Sequence, residues 1–431
     1  MRASGGCLPT IDCAHESLTD ESNLPRVARS VFLFERVMTT PYKLPATVYL
    51  LGLTIFTLVT AEFMVAGMMP ALADAFSVSL AQVGNLIAFY ALGMALGGPP
   101  LTVLLISRGI GNKRALIALL VVYLLAAGVS AVAPSYTILL TARVIMGVAS
   151  AACIGLCMTL CAGLVPLAAR GRAIAVVLAG LMLSPVAGVP LTTVIEQVAG
   201  WRASAWMIVA LALLCTLLVA RQLPQDVAGQ QPSLRRQLDD LKSRSLWGAY
   251  VTSGLIIGAT FAAFSYITPI LINEVGVLPA YVAPLLALYG VANVLGNLFI
   301  GRIAERHTFR ALGWGLALLV LAMAGFALGG EHRWLNLLCF ILIGFTGVAL
   351  NPAMVARVMK AAEPGALVNT LHTSVITAGL AFGSWAGGQA IDAGFGLRAP
   401  LWVGAALAGL GLISLARPLL NARTPAPRPY A

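Results

Sequence analysis

The sequence is poor in charge. Of its 431 residues only 10% are Asp, Glu, Lys or Arg, against about 25% in an ordinary soluble domain. Its 16 acidic and 27 basic residues cannot cover a water-exposed surface of this length. A soluble globular enzyme, a disordered chain and a fibrous chain are thereby excluded. The apolar–polar alternation over ~10 residues that marks a membrane β-barrel is missing. Cys153, Cys157, Cys161, Cys215 and Cys339 fall in apolar runs rather than loops, so no disulfide framework is expected. No phosphate-loop lysine, HExxH or nucleophile elbow occurs, which leaves ATP-driven transport by this chain alone unsupported.

Hydrophobic residues make up 59% of the chain, and they lie in long continuous runs. A transmembrane helix takes ~20 apolar residues. Twelve such helices with short loops use roughly 350–390 residues. Runs occur at 44–72, 81–106, 115–133, 137–163, 173–195 and 204–220, then at 246–272, 281–303, 311–328, 335–359, 367–390 and 399–418. The expected fold class is therefore an all-α membrane protein with twelve transmembrane helices. Residues 1–43 form a polar head expected to be disordered, with Met38 as an alternative start. Residues 44–220 hold six spans, 221–245 a linker, 246–418 six more spans, and 419–431 a proline-containing tail.

Net charge is +11. In a membrane protein this excess reads as cytoplasmic anchoring, not nucleic-acid binding. With the N-terminus in the cytoplasm, the inner segments hold Lys43, Arg108, Lys113, Arg114, Arg170, Arg172, Arg221, Arg302, Arg306, Arg310, Arg357 and Lys360, among others, while the outer loops hold only Arg202, Arg333 and Arg398. Both termini and the linker are thus expected in the cytoplasm.

The chain also repeats itself. Gly200-Trp201-Arg202-Ala203-Ser204-Ala205-Trp206 matches Gly396-Leu397-Arg398-Ala399-Pro400-Leu401-Trp402 at four of seven positions, offset by 196. Tyr90 precedes Gly97 as Tyr289 precedes Gly296. Six spans, a basic linker and six similar spans make a parallel two-half repeat.

Against this apolar background two charges stand well inside spans: Glu62 and Arg143. A charge at mid-membrane costs at least ~2.5–3.5 kcal/mol, so each is a functional candidate by default. A purely structural ion pair is the competing reading. Glu62 lies eight residues before Pro70 and Arg143 six after Thr137, which puts them ~12 Å and ~9 Å below one surface. Gly180, Ser184 and Gly188 form a small-residue face, and Pro185 and Pro190 bend the same span. Gly301, Arg302, Glu305 and Arg306 follow span eight, where a carboxylate between two arginines suggests a charge latch. His372 is read as satisfied by its neighbours or as part of transport. Asn351 and Asn369 either line a cavity or bond across helices. Cys153, Cys157 and Cys161 share a face, read as packing rather than a metal site.

Together these residues resemble the drug/proton antiporter branch of the major facilitator superfamily, with arabinose-efflux-permease-like bacterial exporters the nearest likeness. The resemblance covers about residues 44–418. It rests on Thr60-Ala61-Glu62-Phe63-Met64-Val65-Ala66-Gly67-Met68-Met69-Pro70, on Leu139 to Gly147 with Arg143, and on Gly180 to Gly188. Two departures stand out: Ser184 replaces the usual glycine before proline, and no acid lies between Gly97 and Arg114. A latch would then work mainly through the second-half copy at Gly301, Arg302, Glu305 and Arg306.

The resemblance implies two six-helix bundles rocking around a cavity in a bacterial inner membrane. It implies a monomer that exports a small organic molecule of drug, sugar or nucleoside type, and a proton gradient in place of any cofactor. Glu62 would carry the proton, Arg143 would tune it, and Pro185 and Gly188 would shape the hinge. Proton-coupled uptake is the alternative. A membrane enzyme lacks a cluster of reactive groups at one depth, and a sensor lacks room for a folded domain in the linker.

Overall fold

The computed structural model of the protein describes residues 43–108, 110–224, 243–362 and 366–421. The expectations for the head, the Met38 start, most of the 221–245 linker and the end of the tail lie outside the described residues. Among the described residues there is no strand. In lipid every backbone N–H needs a partner inside its own segment, and continuous apolar runs meet that demand as helices.

The elements are α1 (Ala46–Gly67), α2 (Met69–Phe76), α3 (Leu80–Ser107), α4 (Asn112–Val132), α5 (Tyr136–Gly163), α6 (Arg170–Leu183), α7 (Val189–Ala199), α8 (Trp201–Gln222), α9 (Arg244–Phe264), α10 (Val282–Leu328), α11 (Arg333–Thr346), α12 (Asn351–Ala361), α13 (Ala366–Ala390) and α14 (Ala399–Asn421). Ten stretches of described helix are long and apolar enough to cross a membrane.

Several expected spans are broken helices. Span one divides at Met68, where Pro70 opens α2. Span five divides at a π-turn over Ser184–Gly188. Pro185 supplies no N–H there, and the wide turn absorbs the gap. Span seven stops at Phe264, and a short turn resumes at Ile267–Pro269. Span ten divides around Gly347. Spans eight and nine go the other way: α10 runs through both, with one non-helical residue, His307 (φ −128°, ψ 42°). No glycine or proline lies between Gly301 and Gly313 to stop it. Gly301, Arg302, Glu305 and Arg306 therefore sit on helix, not in the expected loop.

The repeat seen in sequence is also a repeat of geometry. Gly200 and Gly396 have φ of 83° and 82° with ψ of 163° and 173°. Only glycine adopts that region readily. Just beyond, Arg202 donates to Ala133 O at 2.9 Å, at the end of α4, and Arg398 donates to Ala327 O at 3.2 Å, at the end of α10. Helix contacts repeat as well. A methyl at Gly180 would meet Gly52 O at 2.0 Å, and one at Gly379 would meet Gly254 O at 2.2 Å. So α6 lies backbone-to-backbone on α1 as α13 does on α9.

The two halves meet where α1, α7, α9 and α13 end. There Ser79 Oγ donates to Asp392 (3.4 Å), Gln197 Nε2 to Pro279 O (2.8 Å), Thr268 Oγ1 to Ala66 O (2.7 Å) and Ser384 Oγ to Gly84 O (3.2 Å). Tyr266 fills the centre of this seal. Its hydroxyl donates to Ser384 O at 2.8 Å, and a methyl at Gly84 or Gly388 would come within 1.9 or 2.3 Å of it.

Candidate functional site

Glu62 sits on α1, buried at 4% exposure, and Arg143 on α5 is buried at 1%. The sequence brings them together through the packing of α1, α3 and α5. Arg143 Nη1 donates to Ala61 O at 2.6 Å and Nη2 to Glu62 O at 3.0 Å, while Nε reaches Leu86 O at 3.4 Å. Its guanidinium carbon lies 4.5 Å from the centre of the Tyr90 ring, a cation–π distance. A helix carbonyl has a second lone pair beyond its own helical bond, so one guanidinium can tie two helices without unwinding either.

The bonding differs from a simple ion pair. Among the described residues no hydrogen bond or salt bridge joins Arg143 to the Glu62 carboxylate. The guanidinium is held by backbone carbonyls of α1 and α3 instead. The carboxyl thus takes no part in the hydrogen bonds by which Arg143 ties these helices together.

The span-five residues lie directly beside this site. Thr60, two residues before Glu62, donates to Ser184 Oγ at 3.2 Å. A methyl at Gly188 would approach Thr60 Oγ1 to 2.1 Å. Pro185 opens the π-turn, and Pro190 lies in the first turn of α7. Gly290 of α10 packs against the other side of the turn, where its methyl would meet Pro185 O at 2.5 Å. The bend therefore touches the helix of Glu62 and the second half at once.

The other candidate residues lie elsewhere. Arg302 and Arg306 are exposed on α10, and nothing brings them to Glu62; the side chain of Glu305 is not among those described. Asn351 starts α12 and is half-buried, while Asn369 is exposed on α13. His372 is buried; its Nε2 lies 2.9 Å from Ser253 Oγ, and its ring stacks on Tyr250 at 5.7 Å. Cys153, Cys157 and Cys161 are buried free thiols.

Two features gave little sequence signal. Phe63, beside Glu62, stacks on Phe261 of the second half at 5.0 Å. From there a run of rings continues: Phe261 to Phe264 (5.7 Å), Phe264 to Tyr289 (4.9 Å), Tyr289 to Phe340 (5.1 Å). Arg357 is the second feature. It stood near the end of an expected span, where it read as an anchor. The structure buries it at 6% exposure, with Nη1 donating to Thr252 Oγ1 at 2.6 Å and its guanidinium carbon 5.7 Å from the Phe309 ring centre.

Comparison with known proteins follows the same lines. The family model described as Major Facilitator Superfamily matches residues 51–371. The inner membrane transport protein YdhP of Escherichia coli is 31% identical over 364 residues, covering 84% of this chain and 93% of that protein. A chloramphenicol resistance protein of Streptomyces lividans is 28% identical over 375 residues, covering 86% and 95%. Among solved structures, a bacterial homolog of the human lysosomal transporter Spinster, inward-facing and occupied, superposes with a TM-score of 0.70 at 17% identity, covering 88% of this chain and 97% of that one. The POT family transporter PepTSo superposes with a TM-score of 0.71 at 12% identity, covering 88% and 98%.

Proposed function

The chain belongs to the Major Facilitator Superfamily and is a multi-pass membrane transporter rather than an enzyme, and from that premise we propose that it exports a small organic molecule in exchange for protons. The observation that carries this reading is the Glu62–Arg143 arrangement. Arg143 spends its donors on the carbonyls of Ala61, Glu62 and Leu86, so the Glu62 carboxyl is the free titrating partner. Gain or loss of one charge there changes which cavity state is favoured, and so couples the gradient to rocking. The span-five π-turn, in contact with Thr60 on one side and Gly290 on the other, is the bending element.

In this reading the chain has twelve spans in two six-helix bundles, acts as a monomer in the bacterial inner membrane, and uses no cofactor. Both termini lie in the cytoplasm, supported by the lysine and arginine asymmetry. The sealed end at Ser79 and Asp392 is then the periplasmic one. Export rather than uptake is supported by the span-five motif and by the chloramphenicol resistance of a relative.

The test uses purified protein in vesicles with an imposed proton gradient, with chloramphenicol as the first probe within a panel of drugs, sugars and nucleosides. Glu62→Gln should fold and bind yet fail to move substrate uphill, while Glu62→Asp keeps part of the activity. Full gradient-driven export by Glu62→Gln would sink the assignment. A reporter fused after Leu223 should read cytoplasmic and one after Glu331 periplasmic; a periplasmic signal at Leu223 would overturn the topology.

A further inference from the structure

Just below the seal between the halves lies a cavity with no part in the scheme above. It has a volume of about 240 Å³ and lies between α3 of the first half and α13 of the second. Phe89 and Leu92 wall it on one side and Phe382 and Trp385 on the other, with the small Ala378 and Ala381 between them. The Phe382 and Trp385 rings are 6.0 Å apart. On α3 the face of Ile87, Ala91 and Met94 is buried in the molecule, whereas Phe89, Leu92 and Leu96 on the opposite face are exposed. On α13 Ala378, Phe382 and Trp385 are exposed as well. The cavity is thus a groove that opens on the outside of the bundle.

Its depth says what fills it. α13 ends at Ala390, and at the helical rise Trp385 lies ~8 Å and Ala378 ~18 Å below that end. Both fall within a hydrocarbon layer ~30 Å thick. Small-molecule sites run about 300–1,000 Å³ and carry a few polar groups. This groove is smaller and, the Trp385 indole N–H aside, its lining side chains are wholly apolar. An acyl chain is narrow, flexible and apolar, and it is what surrounds the protein at this depth. The groove also spans the seal. At its upper rim Ser384 Oγ donates to Gly84 O at 3.2 Å, and a methyl at Gly388 would meet Ala81 at 3.1 Å. If the halves part there, the two walls move apart, so the groove is complete only while the seal is closed.

We propose that this groove binds one acyl chain of a bilayer lipid from the leaflet at the sealed end, and that the bound chain holds the seal closed. A ligand that prefers one of two forms shifts the balance toward it by its difference in affinity. The chain packs on Phe89 and Leu92 of one half and on Phe382 and Trp385 of the other, so the open form keeps only part of its contacts. A chain too short to reach Ala378 leaves the lower groove empty, and the lining there loses its dispersion contacts. Chain length in the membrane thereby sets how readily this end opens. The proposal rests on the reading that the halves part at this seal, and not on the substrate, the direction of transport or the proton.

The experiment needs no transported substrate. Purified protein is placed in phosphatidylcholine vesicles whose chains carry bromine at mid-length, and Trp385 emission is taken as the difference from Trp385→Phe. Ala378→Phe fills the groove from an exposed position. The brominated chain should quench Trp385, and Ala378→Phe should relieve that quenching. The second readout is alkylation of Ser384→Cys by a water-soluble maleimide, measured against protein without that cysteine, since Ser384 is fully buried in the sealed form. Alkylation should run about fivefold slower in oleoyl than in lauroyl lipid, and Ala378→Phe should make it slow in both. Quenching unchanged by Ala378→Phe would mean contact with bulk lipid only and would overturn the site. A chain-length dependence that survives Ala378→Phe would assign the effect to bilayer thickness and overturn control of the seal by the groove. Ser384→Cys left unalkylated in every lipid, with the quenching as expected, would instead overturn the reading that this end opens.

Discussion

The first half places Glu62, Tyr90 and Arg143 together; the second half places Phe264, Tyr289 and Phe340 in a matching arrangement. Arg143 covers Tyr90 at 4.5 Å, as Phe340 stacks on Tyr289 at 5.1 Å. Phe264 packs on the other face of this cluster, 4.9 Å from Tyr289. The offsets, 202, 199 and 197 residues, track the repeat. One scaffold thus carries a charge pair in one half and a stack of rings in the other. Rings hold helices together without changing state, whereas a carboxyl beside a guanidinium can respond to protons. Under the proposed scheme the first half would titrate, and the matching place in the second half holds no group that could. The Phe63–Phe261 stack is where the two clusters touch.

The comparison can be broken most sharply at Arg143. Arg143→Leu removes three backbone bonds and leaves Glu62 buried without its neighbouring cation, and should cost about 3–5 kcal/mol. Phe340→Leu at the matching place should cost about 1–2 kcal/mol. Thermal melts of the purified variants compare the two, and equal losses would deny the asymmetry.

Next in size is coupling. Glu62→Gln should lower gradient-driven export by about 100-fold, while Phe264→Leu changes it little. Measuring export and proton counter-movement in the same vesicles decides. Loss of coupling in Phe264→Leu would mean that the rings also take part in proton handling.

The repeated glycines should behave alike. Gly200→Ala and Gly396→Ala each force a glycine-only conformation and should each lower the melting transition by the equivalent of about 1–3 kcal/mol. Unequal shifts would show that the two halves carry different strain.

Pro185→Ala has no counterpart in the second half. It restores a backbone donor and narrows the π-turn, and should slow transport severalfold per folded molecule without lowering folded yield. Unchanged transport would reduce the turn to a tolerated kink. The smallest effect is expected from Ser184→Gly, which gives up one hydroxyl bond worth about 0.5–1.5 kcal/mol; a melt shift of that size with normal transport is the expected outcome.

Glu62 and Arg143 were legible because a charge in an apolar run has few explanations. Their common depth followed from helical rise alone. That Arg143 would bind carbonyls rather than the carboxylate was not legible, because backbone acceptors leave no mark in sequence. The helix through Arg302 and Arg306 was missed because positive charge reads as a loop anchor whether or not the backbone unwinds. Arg357 was hidden by its place near a span end, where burial depends on Thr252 and Phe309 rather than on its own neighbours in sequence.

The Tyr266 plug has a consequence for solvent. In the sealed state its hydroxyl is spent on Ser384 O, and it packs too closely on Gly84 and Gly388 to leave room for even a methyl there. Separating the halves there exposes that hydroxyl, the Ser384 carbonyl and the bare glycine backbones, all of which must then be hydrated. Opening this end is therefore an uptake of water as much as a motion of helices. Solutes excluded from the slot will draw the equilibrium toward the sealed form, so the cycle of this transporter should slow with osmotic pressure even when the proton gradient is held constant.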